Sequence, residues 1–435
     1  AADCLNLRIH TNWYDNPQFS GLDCRSIIVT QVPPIAKAIQ SIVDAGELAG
    51  AVALIWRVDQ GLQVECVGWR NLATQAPMAR DTLFRIASMT KPITSLAALM
   101  LWEEGRFALS DPISRWAPEF RHMRVLRTRS GPVGQTAPAQ RPITFEDLLT
   151  HRAGFSYADF EQGPIAQAYA EALGGNIDND IAPDDWMARL ASLPLIDQPG
   201  AAFHYSHATD LLGLLMARME DAPLGDVLER RIFGPLGMKD TAFTVAQEKR
   251  SRCAALHGFD EAGHLTVLPH VPGNHALPER PADMRFVSGG QGLWSTVDDY
   301  LAFARLFVEH GTVDGVRLMQ PQTLAMMTTN CLSAAQRASS TMLGMSPFAA
   351  GHGFGLGVAV VMEPEQANPL TCGGGIGAVG WPGAYGGWWQ ADPNDGSVLI
   401  FLTHNMFRPD QLANGIGFGA WDAIMQFQAL AAAPR

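Results

Sequence analysis

The chain has 435 residues, of which 47% are hydrophobic and only 17% charged, so it is a globular protein with a sizeable core, long enough for one large two-part domain or two domains. A formal charge of −12 leaves no basic surface for nucleic acid or an anionic membrane. No apolar run approaches the roughly eighteen residues of a spanning helix, so a soluble chain with a small-molecule partner is expected.

Six scattered cysteines without a C-x-x-C pair exclude a zinc framework and favour free thiols, with a Cys4–Cys24 bridge as the alternative. No signal peptide opens the sequence, so a cytoplasmic location is expected, with a processed periplasmic or secreted form as the other reading.

Residues 1–30 carry no clear periodicity and read as an N-terminal extension. Ile35, Ile39, Ile42 and Val43 then recur at helical spacing up to Gly46. Two strand-like runs follow, Gly50–Val58 and Leu62–Trp69, split by the hairpin signal Asp59-Gln60-Gly61. A helix is written in Ser88–Glu104, with Met89, Ile93, Leu96, Ala97 and Met100 on one face and Gly105 as its stop. Helical stretches at Phe145–Thr150, Ala166–Leu173, Ala182–Leu193 and Asp210–Glu220 occupy the middle, where residues 128–142 read as an exposed loop. Helices are expected again from Val297 and over Pro321–Thr328. Strands are then expected at Phe354–Met362 and at Tyr385–Ala391, paired with Val398–Thr403, before a last helix over Ala420–Ala432. Strands at both ends with helices between predict an α/β domain from 31–110 and 286–435, interrupted by a helical domain over 111–285.

The strongest chemical signal is Ser88-Met89-Thr90-Lys91, where a spacing of three places both side chains on one helical face. A serine hydroxyl needs a base before it attacks, and a desolvated lysine can serve. The helix start adds backbone N–H groups for an oxyanion, and Pro92 is tolerated because first-turn N–H groups have no helical partner. Tyr205-Ser206-His207, at a loop-to-helix junction, offers a phenol for proton transfer. A third signal is the glycine-rich run from Gly373 to Gly386. Its literal G-x-G-x-x-G is not a dinucleotide site, because Trp381-Pro382-Gly383 and a strand follow instead of a helix. Glycines entering a strand fit a close approach of backbone to ligand. His204 and His207 make no metal set, and no cofactor is expected.

In order and spacing, Ser88-x-x-Lys91, Tyr205 and Trp381-x-Gly383 resemble the three motifs of the class C β-lactamase-like serine hydrolases, and most of all the family VIII carboxylesterases. Flanking segments are similar too: Thr144–Gly154, Gly234-Pro235-Leu236-Gly237-Met238 and Ser288-Gly289-Gly290-Gln291-Gly292-Leu293. The resemblance runs from about Pro33 to the C-terminus. It implies a β-lactamase/penicillin-binding-protein-like fold, α/β plus all-α, with an antiparallel sheet flanked by helices and an inserted helical domain. It also implies acylation of Ser88, proton transfer by Lys91 and Tyr205, and an oxyanion hole from the backbone N–H groups of Ser88 and Ala384, the latter on the third-motif strand.

Two departures bear on substrate. Trp381 stands where β-lactamases carry Lys or His, and His207 where they carry Asn. Both favour an uncharged ester, with Trp381, Gly383, His207 and Tyr385 as candidate substrate-binding residues. Pro382, lacking an N–H, points to a strand at an edge facing the cleft. The expected function is a serine carboxylesterase for short-chain or aryl esters. Alternatives are an amidase or D-aminopeptidase, a weak β-lactamase, an acyltransferase, or a non-catalytic binding or assembly member of the same fold.

Overall fold

The computed structural model describes residues 34–432 apart from 175–176, 272, 274, 281–284 and 343–345. The N-terminal extension, with Cys4 and Cys24, lies outside the described residues. An eight-stranded antiparallel sheet runs in the order His352–Phe354, Ala359–Val361, Val379–Gly380, Trp388–Asp392, Ser397–Thr403, Gly50–Arg57, Gly61–Asn71, Ala76–Pro77. Its centre joins distant parts of the chain, since Ala51 lies opposite Thr403 and Arg57 opposite Ser397.

Side chains alternate across a strand, and here the two sets enter different cores. Ala51, Ala53 and Ile55 pack with Leu399 and Phe401 against Ile35, Ile39 and Ile42 of helix Ile35–Asp44 and Ile424 and Phe427 of helix Gly419–Ala432. Val52 and Leu54 face the other way with Ile400 and Leu402. There they join one continuous apolar cluster that takes in helices Thr90–Glu103, Ala208–Glu220 and Val297–Val308. Both faces of the central strands are therefore covered, which is why they read as near-continuous apolar runs.

Most expected elements appear within two residues of their predicted ends. Helix Phe145–Leu149 is fixed by a capping box between Thr144 and Asp147. Four readings are corrected. The single strand expected at Phe354–Met362 is two antiparallel strands, because the chain reverses through Gly355-Leu356-Gly357. Gly357 has φ of +99°, and a β-carbon there would lie 2.2 Å from the Ser95 hydroxyl, so the turn is pressed onto helix Thr90–Glu103. Residues 128–142 are not wholly loop, since Thr136–Pro138 pairs with Arg124–Leu126. Tyr385 lies in a turn, and the strand that pairs with Ser397–Thr403 begins at Trp388. Finally, the third-motif strand is only Val379–Gly380 and is flanked on both sides, so Pro382 follows an interior strand instead of lying on an edge.

Candidate active site

Ser88 sits in a short 3₁₀ turn, Ala87–Met89, that leads into helix Thr90–Glu103. Ala87 has φ of +46°, a left-handed conformation that costs about 1–2 kcal/mol for a residue with a β-carbon. The backbone is thus strained immediately before the serine. The following helix is buried on nearly every side, as expected of a central helix, and not on the single face its spacing suggested. Two hydrogen bonds anchor it near its start. Thr94 Oγ1 donates to the Gly289 carbonyl at 2.6 Å, and the Tyr300 hydroxyl donates to the Met89 carbonyl at 3.0 Å.

Lys91, the second residue of that helix, is 1% exposed. Its Nζ donates to the Gly290 carbonyl at 2.9 Å and lies 3.4 Å from Ser88 Oγ, over the rings of Tyr205 at 4.4 Å and Tyr157 at 5.6 Å. No carboxylate touches it among the described residues. Burial pulls its ammonium down to about 7, against the raising influence of Asp210. At neutral pH the amine is therefore part neutral, as a base for a hydroxyl must be.

Tyr205 precedes helix Ala208–Glu220, and its hydroxyl joins Ser88 and accepts the indole N–H of Trp381 at 3.0 Å. Burial pushes the phenol well above its ordinary value, with those two hydrogen bonds acting in the opposite sense. In the resting site the phenol thus holds its proton, and Lys91 is the group able to take one from Ser88.

The structure brings Ser88, Lys91, Tyr205 and Trp381 together. Trp381 is buried among Tyr205, Phe348 and Phe354, and its N–H is already engaged with the Tyr205 hydroxyl. Gly383 is held so near the chain before Ser88 that a β-carbon would lie 2.5 Å from the Ile86 carbonyl. Its N–H bonds the Gly387 carbonyl at 2.7 Å, which makes residues 383–387 a tight loop. Ala384 therefore lies in that loop and not on a strand, four residues past Gly380, where the third-motif strand ends. The close approach of Gly383 to Ile86 still brings this loop beside the Ser88 turn.

Two pocket candidates are engaged elsewhere. Nδ1 of His207 pairs with Asp210 at 2.8 Å, and its ring lies against Tyr157 and Trp186. The Tyr385 hydroxyl bonds Nδ1 of His275 at 2.9 Å, and that imidazole, pushed down to about 3 by burial, also meets the Gln291 carbonyl.

Three residues beside the site were not singled out by sequence reasoning: Asp210, Gly290 and Tyr157. Asp210 accepts from Ser288 Oγ at 2.5 Å and from the Gly290 N–H at 2.9 Å. Burial opposes its ionisation, yet bonds from His207 and Ser288 and the charge of Lys91 hold its carboxyl below the ordinary value. An available signal was the lone acid beside the apolar run Leu211–Met216, and the Ser288-Gly289-Gly290 segment noted without a role.

A profile of the Beta-lactamase family matches residues 35–416. Protein Rv1367c of Mycobacterium tuberculosis strain H37Rv is 46% identical over 368 residues, which are 85% of this chain and 88% of that protein. Esterase EstB of Burkholderia gladioli is 32% identical, over 83% of this chain and 87% of its own. Among solved structures, EstCE1, described as a hydrolase with promiscuous acyltransferase activity, superposes with a TM-score of 0.71 at 25% identity, covering 90% of this chain and 98% of its own. With its antiparallel sheet, its Ser88-x-x-Lys91 helix and this match over most of its length, the chain belongs to the Beta-lactamase family, as a serine hydrolase of the β-lactamase fold related to the family VIII esterases.

Proposed function

We propose that the protein is a carboxylesterase that hydrolyses short-chain or aryl esters through an acyl-enzyme on Ser88. The observation that carries this reading is Ser88 Oγ set between a buried, part-neutral Lys91 and the Tyr205 phenol. Lys91 takes the Ser88 proton as Oγ attacks the ester carbonyl carbon. The resulting oxyanion is met by the N–H groups of Ser88 and Ala384. As the intermediate collapses, the C–O bond to the leaving alcohol breaks, and the departing oxygen takes a proton from the Lys91–Tyr205 pair. Water then attacks the acyl carbon, gives its proton to that pair, and releases the acid and Ser88.

A neutral substrate is favoured because the third-motif position offers no cation and no free donor. The Trp381 N–H is engaged with Tyr205, while rings of Phe160, Phe203, Phe348 and Phe354 gather in the same apolar cluster. A carboxylate buried there would lack a partner, at a cost of several kcal/mol, whereas an alkyl or aryl group gains about 1–3 kcal/mol from burial. Transfer to an alcohol in place of water uses the same acyl-enzyme, and EstB and EstCE1 are named for an esterase and for both reactions.

The test is labelling with a fluorophosphonate, together with turnover of p-nitrophenyl esters, D-amino-acid amides and nitrocefin. Wild type should label and Ser88→Ala should not, with kcat lower by roughly three to six orders of magnitude. Neutral esters should exceed nitrocefin in kcat/KM by several decades. Near-normal turnover by folded Ser88→Ala would end the assignment, and equal kcat/KM on ester and nitrocefin would end the substrate reading.

A further inference from the structure

Behind Lys91 lies a second tier of buried polar groups. Asp210, 1% exposed, is bonded on one oxygen to Nδ1 of His207 at 2.8 Å. Its other oxygen accepts the Ser288 hydroxyl at 2.5 Å and the Gly290 N–H at 2.9 Å. The carbonyl of that same Gly290 receives the Lys91 ammonium at 2.9 Å. One carboxylate thus grips, at two points, the segment that aims the amine. We infer that Asp210 is a positioning residue for Lys91, fixing the Ser288–Gly290 segment that orients the amine and holding its own carboxylate behind that segment.

The surroundings isolate that charge. Facing Lys91 are the rings of Tyr157 and Tyr205, both phenols held protonated by burial, and the imidazoles of His151 and His275, both held neutral by burial. Among the described residues Asp210, with His207 on its far oxygen, is the remaining ionisable group there, and it opposes the effect of burial on Lys91. A carboxylate in direct contact with the amine would hold it charged and useless as a base. Set one residue back, behind Gly290, Asp210 moderates the amine without trapping it.

This inference rests on the reading of Ser88 and Lys91 as nucleophile and base, and its test separates the two. The pH dependence of kcat/KM on a p-nitrophenyl ester is measured for wild type, Ser88→Ala and Asp210→Asn, with circular dichroism confirming each fold. Asp210→Asn keeps the shape and loses the charge. Its acid limb should move to lower pH by roughly half to one unit, because a lost opposite charge favours the neutral amine. Its kcat/KM at the optimum should fall roughly 10- to 100-fold from misplacement of Lys91. A folded Asp210→Asn with an unmoved acid limb overturns the inference while leaving Ser88 in place. Turnover by Ser88→Ala would instead remove the underlying reading. Should Asp210→Asn not fold, Ser288→Ala loosens the grip and leaves the charge. Ester acylation should then slow about 3- to 10-fold with the limb unmoved, and an unchanged acylation rate would overturn the inference.

Discussion

Arg280 and Lys91 are both buried cations, but their surroundings differ in kind. Arg280 meets the Asp178 carboxylate at 2.6 Å and donates to the carbonyls of Phe243 and Phe286 at 2.8 and 3.1 Å. Asp178 in turn accepts the Leu277 N–H. Charge is matched there and two further N–H groups reach carbonyls, so the pair ties a loop to the core, although Asp178 Oδ1 and Arg280 Nη2 meet as an ion pair without hydrogen-bond alignment. Lys91 has a carbonyl, a distant hydroxyl and two ring faces, with its carboxylate one residue removed. A buried cation denied a direct counter-ion is poorly stabilised, and that is the condition under which it gives up its proton near neutrality. The same element of chemistry is paired in one place and, on the proposed mechanism, reactive in the other, and the difference lies in the distance to one carboxylate.

Replacing each cation by methionine sharpens the contrast. Lys91→Met should lower kcat on a nitrophenyl ester by roughly three to six orders of magnitude, while the protein becomes more stable. The sign follows from the depressed amine: between about 7 and its ordinary value of 10.5 the unfolded chain binds the proton and the folded one does not. Wild-type stability therefore rises with pH across that window, and the gain from Lys91→Met is largest below it, at about 1–4 kcal/mol. Urea melts at several pH values check this, and a destabilised Lys91→Met at acid pH would break the comparison. Arg280→Met should do the opposite, costing about 3–5 kcal/mol because Asp178 is left buried and unpaired. Esterase activity of the surviving folded fraction should change little.

A smaller effect is the pH profile itself. Below about 7 the Lys91 amine protonates and can no longer accept from Ser88, so kcat/KM should fall about tenfold per pH unit on the acid side. A flat profile down to pH 5 would mean that another group is the base. The smallest expected change is Trp381→Phe, which keeps a ring and removes the N–H donated to Tyr205. Losing one neutral hydrogen bond of about 0.5–1.5 kcal/mol should slow ester turnover a few-fold to tenfold. A loss of a thousandfold would show that the indole touches the reacting atoms.

Local pattern and motif order were enough to single out Ser88, Lys91 and Tyr205, because Ser88-x-x-Lys91 spans a helix start and Tyr205 stands three residues before another, and the fold brings the three side chains together. The central strands were legible for a similar reason, their alternating side chains being apolar on both faces. What escaped was set by contacts between distant segments. The turn at Gly355–Gly357 interrupts an apolar run that looks like one strand, and only its packing on Ser95 explains it. Asp210 gives no local hint that it reaches Gly290, eighty positions away in the chain. His207 and Tyr385 have the right chemistry for a pocket, yet Asp210 and His275 engage them, a choice that depends on neighbours brought in by the fold.

The pairing of Gly50–Arg57 with Ser397–Thr403 has a consequence for how the protein is made. A strand in the middle of the sheet waits, exposed on one edge, until its partner has been synthesised. At about 5–20 residues per second that delay is on the order of twenty to seventy seconds. Throughout it, a flat apolar strand has an unsatisfied backbone edge, the condition that invites pairing with another nascent chain. Yield from a heterologous host should therefore depend more on translation speed and holding chaperones than on the stability of the finished molecule.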